Sequence, residues 1–108
     1  MSINAFSPRG NTFNIAATQT ASSALQITSD PLCDTYQFVN TGSSTGYVAV
    51  ANNASVAAVI PAAGTPANGI PVLAGEIVIY RFAPNAWVSA ICDSGKTTNI
   101  LITVGEGV

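Results

Sequence analysis

The segment Glu76–Phe82 reads EIVIYRF in one-letter code, and five of its seven residues are β-branched or aromatic. Such side chains fit a pleated strand better than a helix. Because successive side chains of a strand alternate between its faces, the two isoleucines fall on one face and the valine with both aromatic residues on the other. Both faces are apolar, so the segment predicts a strand at the centre of a sheet or covered on both sides.

The same kind of residue recurs along the chain. Ile and Val together account for 20 of the 108 residues and Thr for 11, whereas Leu occurs only four times. Short β-branched runs separated by turn signals are typical of strands. The predicted strands are Thr12–Thr18, Ala24–Thr28, Thr35–Thr41, Gly46–Ala51, Glu76–Phe82, Ala86–Cys92 and Thr98–Val104.

Turn signals separate these strands. Thr41–Gly46 reads TGSSTG and predicts a hairpin between its two flanking strands. Ala74-Gly75 and Asp93–Lys96 offer glycine at positions where a tight turn needs positive φ, and Phe82–Ala86 contains a Pro-Asn turn. Strands spaced in this way predict an all-β fold: an antiparallel β-sandwich or barrel, jelly-roll or immunoglobulin-like, of about seven or eight short strands. We expect one such domain over residues 12–108.

Two regions depart from the strand pattern. Residues 1–11 form a predicted N-terminal arm, which is either a frayed terminus or a segment that docks on a neighbouring subunit. Its candidate contact residues are Ile3, Phe6 and Arg9. Residues 52–70 are rich in Ala, Pro and Gly, so we expect a long exposed loop that is ordered by packing against a partner.

The chain has only eight charged residues and no histidine. Acid–base catalysis needs several titratable groups in one pocket, so we expect no enzymatic activity. The net charge of −2 argues against nucleic acid, which requires a basic surface for phosphate contacts. No apolar run is long enough to span a membrane, and the first residues do not resemble a secretory signal.

The two cysteines, Cys33 and Cys92, are expected to be buried, reduced thiols, although the sequence also leaves a disulfide open. Two isolated cysteines without histidine cannot complete a tetrahedral metal site, and no imidazole is present to activate either thiol. We therefore expect neither a metal nor another cofactor.

Several segments resemble a family of small tailed-phage virion proteins when they are taken in order. They are Phe38–Gly42 (FVNTG), Gly46–Val50 (GYVAV), Ile70–Glu76 (IPVLAGE), Val88–Ile91 (VSAI) and Ile102–Gly107 (ITVGEG). Together they extend over roughly residues 36–107, and it is their order that is distinctive, since each alone is ordinary β-sheet sequence. The family is similar to head decoration, or cement, proteins and other minor structural proteins encoded beside capsid genes.

This resemblance implies a non-enzymatic capsid decoration protein that binds across capsid subunits and stabilises the DNA-filled head. The implied partners are the major capsid protein and copies of the chain itself, with a homotrimer expected. The implied location is the capsid surface of the virion, after synthesis in the host cytoplasm. Two alternatives remain: a tail, baseplate or fibre component of the same virion, and a carbohydrate-binding β-sandwich.

Overall fold

The structure, a computed structural model, describes residues 7–27, 33–82 and 86–106. These residues form eight strands and no helix. The strands are β1 (Ser7–Ala17), β2 (Leu25–Gln26), β3 (Thr35–Asn40), β4 (Gly46–Ala51), β5 (Ile70–Val72), β6 (Ile77–Arg81), β7 (Trp87–Cys92) and β8 (Thr98–Glu106).

The strands pair in a nested order: β1 with β8, β2 with β7, β3 with β6 and β4 with β5, all antiparallel. The pairs β3–β8 and β4–β7 complete two four-stranded sheets, the first in the order β1-β8-β3-β6 and the second in the order β2-β7-β4-β5. An antiparallel ribbon doubled over in this way is a jelly roll. The predicted antiparallel sandwich is therefore confirmed, with jelly-roll connectivity.

All seven predicted strands overlap an observed one, and Gly46–Ala51 coincides with β4. The three-residue strand β5 was not predicted, because Pro71 at its centre lacks the N–H that a ladder requires. Strand β1 begins at Ser7, so residues 7–11 of the predicted arm belong to the first sheet. The Pro-Arg-Gly-Asn sequence there does not end the strand, and the pairing register with β8 shifts between Pro8 and Thr12 instead.

The hairpin predicted at Thr41–Gly46 is wrong. Its flanking strands β3 and β4 lie in different sheets, so the segment crosses the sandwich. The turns before β6 and before β8 cross it in the same way. Both predicted glycines have positive φ, 76° at Gly75 and 73° at Gly95, and the Asp93 carbonyl accepts a hydrogen bond from Lys96 N–H. The turns at Gly75 and Gly95 are therefore as predicted, whereas the hairpin pairing predicted at Thr41–Gly46 is not observed.

Side chains of both sheets meet in a dry interior. Its largest fully buried apolar members are Tyr36, Phe38, Val48, Val72, Val88, Ile100 and Ile102. Asn40 is also fully buried, and all of its amide groups are paired. Nδ2 donates to the carbonyls of Ser44 and Val72, each over 2.8 Å, and Oδ1 accepts from Gly42 N–H and from the Thr98 hydroxyl. A buried amide that is satisfied in this way ties the crossover to both sheets.

The two cysteines are buried thiols and are not joined by a disulfide, as expected. Cys92 Sγ donates a hydrogen bond to the Thr45 carbonyl over 3.4 Å, which adds another link between β7 and the crossover after β3.

Candidate interaction surface

The outer face of the first sheet carries a row of apolar side chains. On β8, the side chains of Thr98, Ile100, Ile102 and Val104 are buried, so the residues between them point outward. Leu101 is one of these, and the pairing register places it beside Val39 on β3. Val39 in turn lies beside Ile77 on β6. Three neighbouring strands thus contribute one apolar residue each at the same level.

Ile79 extends this row along β6, two residues beyond Ile77. We call the four residues Val39, Ile77, Ile79 and Leu101 the outer patch. Val39 and Leu101 are half-buried by their neighbours, whereas Ile77 is 60% exposed and Ile79 41% exposed. Exposed isoleucines that are adjacent in a sheet, unlike single ones, are typical of a surface that contacts another molecule.

The remainder of the same face is polar. Beside Ile79, the row across the sheet continues through Gln37 and Thr103 to Thr12. The hydroxyls of Thr12 and Thr103 are hydrogen-bonded to each other over 2.8 Å. The outer patch therefore lies at the β6 side of the face and has a polar border on the β1 side.

The prediction that Glu76–Phe82 would be central or covered on both faces is wrong. Strand β6 lies at the edge of the first sheet, and Ile77, Ile79 and Tyr80 are exposed. Its inner face does pack: the ring of Tyr80 lies 6.2 Å from that of Phe38 and 6.0 Å from that of Phe82. The outer face, by contrast, contacts none of the described residues of the second sheet, because it points away from the sandwich.

Two ion pairs lie at one end of this sheet. Arg9 Nη1 lies 2.7 Å from Glu106 Oε2, and Arg81 Nε lies 3.6 Å from Asp34 Oδ2. All four side chains are substantially exposed, so each pair contributes at most about 1 kcal/mol to folding. The Arg9–Glu106 pair lies on the β1 side of the sheet, whereas Arg81 follows Ile79 by two residues on the same face of β6, so the Arg81–Asp34 pair borders the outer patch.

Of the three predicted contact residues, the structure places Arg9 alone. It lies on β1 in the stretch where the register with β8 shifts, and its guanidinium reaches Glu106 on β8. Ile3 and Phe6 lie outside the described residues. Residues 1–6 of the predicted arm therefore remain a prediction, and Arg9 belongs to the sandwich rather than to an arm.

The centre of the outer face of the second sheet is covered by the chain itself. Ala49 and Ser89 point outward from β4 and β7, yet both are fully buried. Ser89 Oγ accepts a hydrogen bond from Ala58 N–H over 3.1 Å and donates one to the Ser22 carbonyl over 2.8 Å. Ala58, at 2% exposure, belongs to the long loop between β4 and β5.

This loop was expected to be exposed and to be ordered by packing against a partner, and the structure differs in part. The first half of the loop packs on the outer face of the second sheet through Ala58. Its second half projects as a small hairpin, in which Val59 N–H donates to Asn68 and Thr65 N–H donates to Ala62. The residues 61–66 at its tip are all exposed. The two sheets therefore present different outer faces, one covered by the loop and one carrying the outer patch.

The described residues contain no group of three or more His, Cys, Asp or Glu side chains placed to hold a metal ion.

Burial raises the pKa of the Tyr36 hydroxyl above its ordinary value of 10.0. The hydroxyl oxygen also accepts a hydrogen bond from Ala86 N–H over 3.3 Å, and this bond lowers the pKa by a smaller amount. That tyrosine points into the core, from the face of β3 opposite to the outer patch. No helix within residues 7–27, 33–82 and 86–106 is long and apolar enough to cross a membrane.

Comparison with known proteins identifies no relative: no family model, no curated protein sequence and no solved structure matches the chain.

The sequence did not single out the outer patch. The signal was present, because Leu101 interrupts the alternation of β8 with an apolar residue on the polar face, as Val39 does on β3. What the sequence lacks is the register that aligns these residues with Ile77 across three strands.

Proposed function

We propose that this chain is a non-enzymatic structural protein of a tailed-phage virion, and specifically a capsid decoration protein that binds the major capsid protein across subunit contacts. The observation that carries the proposal is the one-sided construction of the sandwich. The centre of its second sheet's outer face is covered by its own loop, whereas its first sheet presents the outer patch without a cover among the described residues. A rigid module with one apolar face suits attachment to a larger surface.

Such attachment stabilises a shell by mass action. A protein that binds the assembled shell but not the separate subunits lowers the free energy of the assembled state. Many copies on one shell multiply this effect without a large interface for each copy. The four residues of the outer patch are uncharged, so the contacts that they themselves make with a shell would depend little on salt.

The residues that carry the resemblance to phage structural proteins also support the proposal. Phe38–Gly42 contains the end of β3 with its buried Asn40, Ile70–Glu76 contains β5 and the Gly75 turn, and Ile102–Gly107 contains the end of β8. The first two of these segments lie at crossovers of the jelly roll, from β3 to β4 and from β5 to β6. Jelly rolls occur in viral capsid domains, but also in lectins, so this support comes from fold analogy.

The aliphatic character of the outer patch favours attachment to protein over attachment to sugar. Sugar-binding sandwiches present aromatic rings on an exposed face. Here Tyr36 and Phe38 are fully buried, Phe82 and Tyr80 pack against them with ring centroids 5.6 to 6.2 Å apart, and the half-buried Tyr47 and Trp87 lie on the outer face of the second sheet. The residues of the outer patch are aliphatic.

The first test is the location of the chain in virions whose genome encodes it. Immunogold labelling with an antibody to this chain should decorate the head shell. Label confined to the tail, baseplate or fibres would support the alternative virion component, and absence of the chain from purified virions would contradict the proposal altogether.

The second test addresses the binding face. Leu101→Gln should weaken binding to shells that lack the protein, because it replaces an apolar side chain of the outer patch with an amide. The matched control is Val59→Gln, which makes the same kind of change at a side chain 50% exposed on the loop hairpin. Equal binding of Leu101→Gln and the unmodified protein, with loss of binding in Val59→Gln, would place the contact on the loop instead.

A further inference from the structure

The free edge of β6 is the starting point. Asn40 N–H donates to the Glu76 carbonyl, and Phe82 N–H donates to the Asp34 carbonyl. Hydrogen-bonded pairs alternate along an antiparallel ladder, so Val78 and Tyr80 direct their backbone groups to β3. The backbone groups of Ile77, Ile79 and Arg81 therefore point away from β3, toward the open edge.

The other three sheet edges carry features that discourage pairing with another chain. Strand β1 contains Pro8 and a shift of register next to it, and the exposed Arg9–Glu106 pair lies beside that shift. Strand β2 has only two residues, and β5 has three with Pro71 at its centre. Short length, proline, irregularity and charge are the devices by which proteins protect their edges.

Strand β6 is not protected by very short length, by proline or by an irregular register. Its five residues pair with β3 in an unbroken register, and they include no proline. Its one charge, Arg81, lies at its last residue, 3.6 Å from Asp34. Within the part of the chain that the structure describes, no strand pairs with its outer edge. An unprotected edge of this kind, flanked by exposed Ile77 and Ile79, is a surface for strand addition.

The sequence of β6 is complementary to itself. If two copies pair antiparallel about a two-fold axis at Ile79, all five residues of each strand find a partner. The backbone groups that then meet are those of Ile77, Ile79 and Arg81, which are the ones left unpaired by β3. Ile79 lies opposite its own copy, and Val78 lies opposite Tyr80, a β-branched and aromatic pair of the kind that stabilises sheets.

The charges are compatible with this register. Arg81 of one copy lies opposite Ile77 of the other, so the two guanidiniums stand at opposite ends of the paired strands. They are separated by about 13 Å along the strand direction, since four residue steps of about 3.3 Å each lie between them. That distance exceeds the screening length of roughly 8 Å at physiological ionic strength. No like charges face each other.

We infer that β6 pairs with β6 of a second copy of this chain, which joins the two first sheets into one continuous eight-stranded sheet about a two-fold axis. The outer patches of the two copies then adjoin across that axis and form a single apolar surface. This inference concerns self-association alone and does not depend on the proposed function. It also differs from the trimer expected from the sequence, because two-fold pairing of identical edges closes at two subunits.

The register provides a sharp test by disulfide trapping. In the inferred pairing, the two Ile79 Cα atoms form a hydrogen-bonded antiparallel pair about 5.5 Å apart, within the range that a disulfide spans. Ile79→Cys should therefore give a covalent dimer under mild oxidation. Ile77→Cys is the matched control, since it is more exposed but lies about 13 Å from its own copy along the strand. Both native cysteines are buried.

Cross-linking of both variants to the same extent, or of Ile77→Cys alone, would overturn the inferred register. The assembly itself is tested by sedimentation equilibrium of the full chain. The unmodified protein should have twice the monomer mass, and Ile79→Lys should be monomeric because two ammonium groups would meet at the axis. Ala16→Lys, which adds the same charge at an exposed position on the opposite edge strand, should remain a dimer.

A monomer or a trimer of the unmodified protein at micromolar concentration would contradict two-fold pairing. Circular dichroism of each variant shows whether its sheets are intact, so that a monomeric Ile79→Lys with native β signal is distinguished from an unfolded one. If the dimer forms but virions lack the chain, self-association stands and the proposed function fails.

Discussion

The side-chain amide of Asn40 on β3 donates to the main-chain carbonyl of Val72 on β5 over 2.8 Å, and so joins the first sheet to the edge of the second. The same amide bonds to Ser44 and Gly42 in the crossover and to Thr98 at the start of β8. A single side chain therefore fixes the point at which the chain leaves one sheet for the other.

Replacement of Asn40 should be among the most destabilising changes in this protein. Asn40→Ala leaves two carbonyls, an N–H and a hydroxyl without partners in a buried site, so we expect a loss of about 3 kcal/mol in the free energy of unfolding. Urea denaturation measures it. Asn99→Ala, at an exposed position on β8, is the control and should change stability by less than about 0.5 kcal/mol. Equal midpoints for the two variants would show that the Asn40 network is not needed for the fold.

Alkaline pH should destabilise the fold through Tyr36. Burial raises the pKa of its hydroxyl above 10.0 in the folded state, so the unfolded chain loses this proton first as the pH rises. Above pH 10 the unfolded state then binds fewer protons than the folded state, and the free energy of unfolding falls. Below that pH both states hold the proton and this group contributes no pH dependence.

Denaturation of the unmodified protein and of Tyr36→Phe, at a series of pH values from neutral to strongly alkaline, isolates this contribution. The unmodified protein should lose stability more steeply above pH 10 than the variant does. Parallel curves for the two proteins would refute the role of Tyr36.

The loop over the second sheet should open when Ser89 is replaced. Ser89→Ala removes the acceptor for Ala58 N–H and the donor to Ser22, and it leaves the buried Ala58 N–H unpaired. We expect faster amide hydrogen exchange at Ala58 and a loss of about 1 to 3 kcal/mol. Ser55→Ala, which removes an exposed hydroxyl from the same loop, should leave the exchange rate at Ala58 unchanged. Unchanged exchange in Ser89→Ala would mean that other contacts hold the loop.

The effect of N-terminal deletions on the stability of the fold should depend on whether Ser7 and the residues after it are removed. Deletion of residues 1–6 leaves every described pair of β1 with β8 in place. Deletion of residues 1–10 also removes the pairing of Ser7 and Pro8 with β8 and the Arg9–Glu106 ion pair. We expect a further loss of roughly 1 to 3 kcal/mol for the longer deletion. If thermal unfolding is the same for both, the start of β1 contributes nothing to the stability of the first sheet.

Strand positions could be predicted from this sequence because β-branched residues are a local signal, and the runs around Phe38, Val48 and Ile102 are dense in them. The crossover after Asn40 could not, since a turn signal does not say which sheet the next strand joins. The network of Asn40 has no local signal either, because its partners Val72 and Thr98 lie 32 and 58 residues away.

The error at β6 has a different origin. Apolar residues on both faces of a strand show that both faces will be buried, but not whether the chain or another molecule buries them. Ile77 and Ile79 face outward here, and the expectation of a central strand came from the assumption that the covering material was part of the same chain. In the sequence, the exposed isoleucines of the outer patch therefore look like part of a core strand.

The central position of β8 also bears on how this protein is made. The strand lies between β1 and β3, yet it is the last of the eight to leave the ribosome. Until it is synthesised, β1 has no neighbour in the first sheet and β3 can pair only with β6. A nascent chain therefore exposes the edges of β1 and β3 until Thr98–Glu106 has emerged, and the first sheet closes only then. The topology of the first sheet thus makes its closure depend on the strand that is synthesised last of the eight.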